Sequence, residues 1–292
     1  MPPREGFVQA DSLSAEGRSL RLHYLEWGDA GPPAVLLHAT GFLARLWEPI
    51  AEELSGRFHV YAYDARGHGD SDKPASGYTW DHFAADLRGF LDVLRLRRVL
   101  AIGHSMGGAT AAHLAATEPD YVSTAVLIEP IIFPSLPDDQ SKRRGRELAS
   151  GAARRRMVWP SRQELLRSYR KRPTFASWRD DVLRLYAEHG TLRRDDGQFE
   201  LKCPGKIEAQ TFQNSLSLDT WGVLPDIRCP TLVLHGQHTE RPLALAARGV
   251  AERIPGTHLA AIEGAGHLVP MERPQAVVAE TMAFLGHGAG PK

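Results

Sequence analysis

The chain has 292 residues, with 35 Lys and Arg against 35 Asp and Glu, so its formal net charge is zero. That balance makes no electrostatic case for a nucleic-acid or membrane-surface partner. No apolar run nears the roughly 20 residues that span a bilayer, and Met1-Pro2-Pro3-Arg4-Glu5-Gly6 lacks the apolar stretch of a signal peptide.

Residues 20–27 alternate polar and apolar side chains, which predicts an antiparallel strand. Ala34-Val35-Leu36-Leu37 is apolar without a break, the pattern of a strand buried on both faces. Val60-Tyr61-Ala62-Tyr63, residues 99–102 and Ala125-Val126-Leu127-Ile128 repeat it, and Leu232-Val233-Leu234 and Leu259-Ala260-Ala261-Ile262 complete the series. Helical patterns fall between these runs at 47–54, 80–94, 106–116, 243–253 and 274–284; Pro274 suits the first turn of the last. Such alternation predicts an α/β protein with a mostly parallel central sheet and helices on both faces. Ligands of such sheets bind beyond the C-terminal ends of the strands.

The series is interrupted once, from about 134 to 220. Helical stretches at 163–170 and 178–189 lie there, and Asp195-Asp196-Gly197-Gln198 reads as a turn between two short strands. An insert of this size, entering after the sixth strand, most simply forms a mainly helical lid, with 1–133 and 221–292 as the core. Between 134 and 220 there are 18 Lys and Arg and 12 Asp and Glu, so the insert carries +6 and the remainder −6. Runs such as Arg154-Arg155-Arg156 and Arg170-Lys171-Arg172 predict a solvated, salt-paired face; attraction of an anionic substrate is the sharper alternative. Aromatic residues such as Trp159, Tyr169, Trp178 and Phe212 offer apolar lining, and at least half of the insert's aromatics are expected to pack the insert itself. The two cysteines, Cys203 and Cys229, make neither a disulfide framework nor a metal-ligand set, and fit reduced thiols in a cytoplasm.

Gly103-His104-Ser105-Met106-Gly107 carries the strongest chemical signal. It matches G-x-S-x-G between an apolar run and a small-residue helical run, the setting in which this pentapeptide presents a nucleophile on a strained turn. The glycines stand where a Cβ would clash. A serine hydroxyl is a poor nucleophile unless a base activates it. His267 follows the last apolar run, and Gly264 and Gly266 give its loop freedom. Its expected role is general base and then general acid. Among 13 histidines it stands out by position; His38, His68, His104 and His113 are read as structural.

Four motifs in order between these runs resemble the α/β-hydrolase fold superfamily, in its lid-bearing serine esterase form. They are His38-Ala39-Thr40-Gly41, Asp64-Ala65-Arg66-Gly67-His68-Gly69-Asp70-Ser71, the pentapeptide around Ser105, and Gly264-Ala265-Gly266-His267. The resemblance covers nearly all of the chain outside the insert. It implies an oxyanion hole from the backbone amides of Met106 and Thr40, although Ala39 stands where the family commonly has Gly. The Thr40 hydroxyl is a possible third donor. The segment from Asp64 to Ser71 is expected to order neighbouring loops without doing chemistry.

The acid departs from the commonest pattern. The family usually places Asp three residues past a Gly after the seventh strand; here Leu234-His235-Gly236-Gln237-His238-Thr239-Glu240 puts Thr239 in that slot. Glu240 is one position further on. Glu129 ends the sixth run as Ile128-Glu129-Pro130, and some members of the superfamily, the haloalkane dehalogenases among them, use an acid there. A carboxylate at an apolar strand end is costly unless paired, so function explains it better than stability does. The reading is a carboxylic ester hydrolase with Ser105, His267 and Glu129 as triad. Its substrate is a small-molecule ester, and no cofactor, metal, nucleic acid or membrane is implied. A cofactor-free perhydrolase, another acyl transfer on the same triad, or a non-catalytic ligand-binding member of the fold are the alternatives.

Overall fold

The computed structural model describes residues 2–13, 19–134 and 139–286. Strands β1 (Arg4–Leu13), β2 (Ser19–Trp27), β3 (Pro33–Leu37), β4 (His59–Tyr63), β5 (Val99–His104) and β6 (Val122–Ile128) precede the insert. Strands β10 (Thr231–Gly236) and β11 (His258–Ile262) follow it. They form one sheet in the order β1-β2-β4-β3-β5-β6-β10-β11. β1 and β2 pair antiparallel, as do β2 and β4, and every later neighbour is parallel.

The uninterrupted apolar runs are the strands that both faces cover. Ala34 and Leu36 of β3 point to one layer and Val35 and Leu37 to the other. Leu100 and Ile102 of β5 follow the first pattern, Val99 and Ala101 the second. This period of two is what a pleated strand imposes. One layer is filled from helices α2 (Trp80–Val93), α3 (Met106–Thr117) and α10 (Arg241–Arg253). The other is filled from α1 (Glu48–Leu54) and α12 (Pro274–Phe284). β11 departs from the expectation of a strand buried on both faces. It closes the sheet edge beside β10, and Leu259 is 39% exposed. β1 was not expected; its pattern is weak, and backbone pairing from Arg4↔Glu26 to Ala10↔Leu20 holds it.

The insert contains α4 (Asp139–Ala153), β7 (Val158–Trp159), α5 (Arg162–Arg170), α6 (Pro173–Ala176), α7 (Asp180–His189), β8 (Thr191–Arg193), β9 (Phe199–Leu201) and α8 (Gly205–Gln213). Ser161 caps α5 by accepting from the Glu164 amide at 3.1 Å. β8 and β9 flank the Asp-Asp-Gly-Gln turn and form a small antiparallel sheet with β7. Trp159, Tyr169, Phe175, Trp178 and Tyr186 bury one another, so these aromatics are the insert's own core. The same cluster takes in Ala39 and Phe42 from the loop after β3 and Leu268 from the loop after β11. The insert is therefore packed on the C-terminal ends of the strands. Its basic runs are largely paired: Arg156 meets Glu164 at 2.9 Å and covers Trp159, while Arg170 bonds Asp180. Arg155 is bonded to Glu208 and to the hydroxyls of Tyr169 and Tyr186.

Candidate active site

The turn after β5 is as tight as the pentapeptide predicts. Ser105 has φ +56° and ψ −112°, a conformation that non-glycine residues rarely hold. A Cβ on Gly107 would lie 2.3 Å from the Leu37 carbonyl oxygen, and one on Gly103 would lie 2.3 Å from that of Gly107. Only glycine lets α3 come this close to the sheet. The Ser105 amide donates to the Ile128 carbonyl at 2.9 Å, which ties the turn to the end of β6. Ser105 itself is 8% exposed.

Met106 opens α3, where backbone N–H groups lack intrahelical acceptors and the helix dipole favours negative charge. Thr40 meets it from the loop after β3: its hydroxyl reaches Met106 Sδ at 3.5 Å. That hydroxyl is thus directed at sulfur rather than offered as a third donor. The loop is fixed by neutral imidazoles. The Ala65 amide donates to His38 Nε2 and the Gly41 amide to His68 Nε2, both at 3.0 Å. Each ring donates from Nδ1 to a carbonyl, His38 to Ala39 and His68 to Arg66. An imidazole that accepts at one nitrogen cannot carry a second proton.

His104 pairs with Ile128 across β5 and β6, so Ser105 and Glu129 leave neighbouring strands side by side. Glu129 is 2% exposed and holds φ +49°. Its carboxylate is met by three donors. Oε1 accepts from the Gly236 amide at 2.7 Å, and Oε2 accepts from Thr239 Oγ1 at 3.0 Å and from His267 Nδ1 at 2.9 Å. A proton held on Nδ1 leaves Nε2 of His267 as the basic nitrogen. His104 donates from Nε2 to the His267 carbonyl at 2.9 Å, and the two rings lie 5.3 Å apart, which holds the His267 loop against the turn. Glu240 is not brought in. It is bonded to Arg144 at 2.5 Å, its side chain is 66% exposed, and that bond holds its carboxyl below the ordinary value. Reading along the chain missed the bond from Thr239, because position 239 reaches Glu129 only through the turn after β10.

The Asp64 loop is connected as expected. Asp64 accepts from His23 Nδ1 at 2.8 Å, the Ala44 amide at 2.7 Å and the Asp70 amide at 2.9 Å. Burial alone would raise its carboxyl; these bonds outweigh that and hold it well below the usual carboxylate range. Arg66 and Asp86 form a fully buried pair behind it at 2.5 Å. Among the described residues, His23, Asp64 and Asp70 could bring three ligand atoms to one metal ion. Asp64 is already bonded to His23, and Asp70 to Lys202 at 2.5 Å.

Burial pushes His68 and His104 down to about 3, with the neighbouring His38 and His267 adding to it. Below the ordinary value of 6.5 the unfolded chain takes up protons that the folded chain refuses. Stability should then be full above about pH 6.5 and fall as the pH drops toward 3, by on the order of 1 kcal/mol per pH unit for each ring. Urea unfolding at successive pH values measures this slope. His68→Gln, which keeps an acceptor without a proton to gain, should flatten it, and an unchanged slope would contradict the account.

A sequence model of the alpha/beta hydrolase family matches residues 34–281. The chain belongs to that family. It is 26% identical to a 2-(acetamidomethylene)succinate hydrolase of Mesorhizobium japonicum over 256 residues, 88% of each chain. It is 28% identical to an N-formylmaleamate deformylase of Pseudomonas putida over 285 residues, 96% of this chain and 98% of that one. Among solved structures, E-2-(acetamidomethylene)succinate hydrolase superposes with a TM-score of 0.82 at 24% identity, covering 97% of this chain and all of the other. No helix of the described residues is long and apolar enough to cross a membrane.

Proposed function

We propose that this chain is a serine hydrolase that cleaves carboxylic esters with Ser105, His267 and Glu129. The observation that carries the reading is the 2.9 Å bond from His267 Nδ1 to a buried Glu129, at a strand end beside the strained Ser105 turn. In the reaction His267 Nε2 takes the Ser105 proton as Oγ adds to the ester carbonyl. The Met106 and Thr40 amides hold the resulting oxyanion. His267 returns the proton to the leaving alcohol, and water, activated the same way, hydrolyses the acyl-enzyme. Glu129 keeps the proton on Nδ1 and stabilises the imidazolium. The insert, 134–220, acts as a lid whose aromatic core is seated on the loops bearing Thr40 and His267.

A second reading, hydrolysis of an N-acyl substrate on the same residues, is favoured by the relative named a deformylase. The two are separated by giving the enzyme an activated aryl ester and a formylated amide. An ester hydrolase releases a burst of about one phenolate per chain. A serine-directed phosphonate should add once, at Ser105. Turnover of the amide alone supports the second reading; no turnover and no adduct refute both.

A further inference from the structure

We infer that Thr239 is a positioning residue: its hydroxyl, with the Gly236 amide, forms a two-donor cradle that fixes the Glu129 oxygen facing His267. The inference rests on the triad reading. The two donors bracket one short turn, Gly236 as the last residue of β10 and Thr239 three residues on, closed by the bond from the Thr239 amide to the Gly236 carbonyl at 3.1 Å. They take different oxygens, Gly236 the Oε1 and Thr239 the Oε2 that also receives His267 Nδ1. One donor per oxygen blocks rotation of the carboxylate about its last bond. It also satisfies a charge buried at an apolar strand end, where an unpaired carboxylate is costly. The Glu129 backbone is itself anchored to β10, its amide donating to the Leu234 carbonyl at 2.8 Å. The carboxylate is thus held from both sides by β10 and the turn that follows. The slot that the family commonly gives to the acid is occupied here by the donor that holds the acid in its displaced position.

Removing the hydroxyl leaves Oε2 with His267 as its one remaining partner of those three bonds. A hydrogen bond to a charged group is worth enough that Thr239→Val should lower kcat about ten- to hundredfold, with KM little changed. Loss of a donor makes the surroundings of His267 more negative, so the acid limb of the kcat/KM profile should move to higher pH. The other ionisable groups facing this loop are His104, Glu240 with its partner Arg144, and Glu272, which accepts from the Gly266 amide at 2.6 Å. None is altered by the substitution. Thr239→Ser keeps the donor and should recover most of the activity and the original profile. The downfield proton resonance of His267 Nδ1–H should weaken in the valine variant and persist in the serine variant. If the valine variant does not fold, Thr239→Ala beside the serine variant gives the same comparison. Wild-type kcat, profile and resonance in Thr239→Val would overturn the inference. Glu129→Gln in the same assay separates the two failures. If it is crippled while Thr239→Val is not, only the cradle falls; if it is fully active, the triad reading falls with it.

Discussion

Ser105→Ala should fold as the parent does and lose about 10⁶-fold in kcat on an activated ester, the scale known for removal of a hydrolase nucleophile. The fold should survive because the backbone of residue 105 does the structural work. Its amide bonds Ile128, and its carbonyl accepts from Ala109 at 3.1 Å and Ile131 at 3.3 Å. Alanine at φ +56° bears much the same strain as serine. The proposed oxyanion donors, the Met106 and Thr40 amides, stay in place, so a residual rate above that of water should remain. Thermal unfolding checks the fold, and single-turnover kinetics check the chemistry. Near-normal turnover in this variant would end the mechanism proposed here.

Glu129→Gln should cost on the order of 10⁴ in kcat with KM little changed, as when the Asp of the chymotrypsin-like template becomes Asn. A glutamine at 129 has one acceptor oxygen for the three donors that converge there, from Gly236, Thr239 and His267. One donor is left unmatched in a buried place, which should also cost about 1–3 kcal/mol of stability. His267 then loses both its preferred tautomer and the charge that stabilises its imidazolium. Glu240→Gln should matter far less, since that carboxylate faces solvent and Arg144. Kinetics of the two variants on one ester decide it. A crippled Glu240→Gln beside an active Glu129→Gln would move the acid to the turn after β10.

Much of this arrangement can be read along the chain, for physical reasons. Runs such as 34–37 and 99–102 are apolar on both faces because helices cover both faces, and that pattern needs no coordinates. The glycines at 103 and 107 mark a turn that no other residue can make. Glu129 is legible because a carboxylate closing an apolar run calls for a partner. What stayed hidden depends on chain segments that meet only in space. Thr239 lies 110 residues from the carboxylate it holds. β1 has little apolar alternation of its own and is a strand because β2 offers it backbone partners. The exposure of Leu259 follows from the place of β11 in the sheet order, which a run of four apolar residues does not reveal.

The position of β11 bears on how the molecule comes apart. Ser105 and Glu129, the proposed nucleophile and acid, directly follow β5 and β6, in the middle of the sheet, where opening requires much of the core to open as well. His267, the proposed base, is carried by the loop after β11, an edge strand with a sheet neighbour on one side, whose residues 258, 259 and 261 are exposed. Fluctuations that release an edge are cheaper than those that release a centre. Fraying of that edge would withdraw the imidazole while the other two groups kept their places, so catalytic competence is a more fragile property of this chain than its fold.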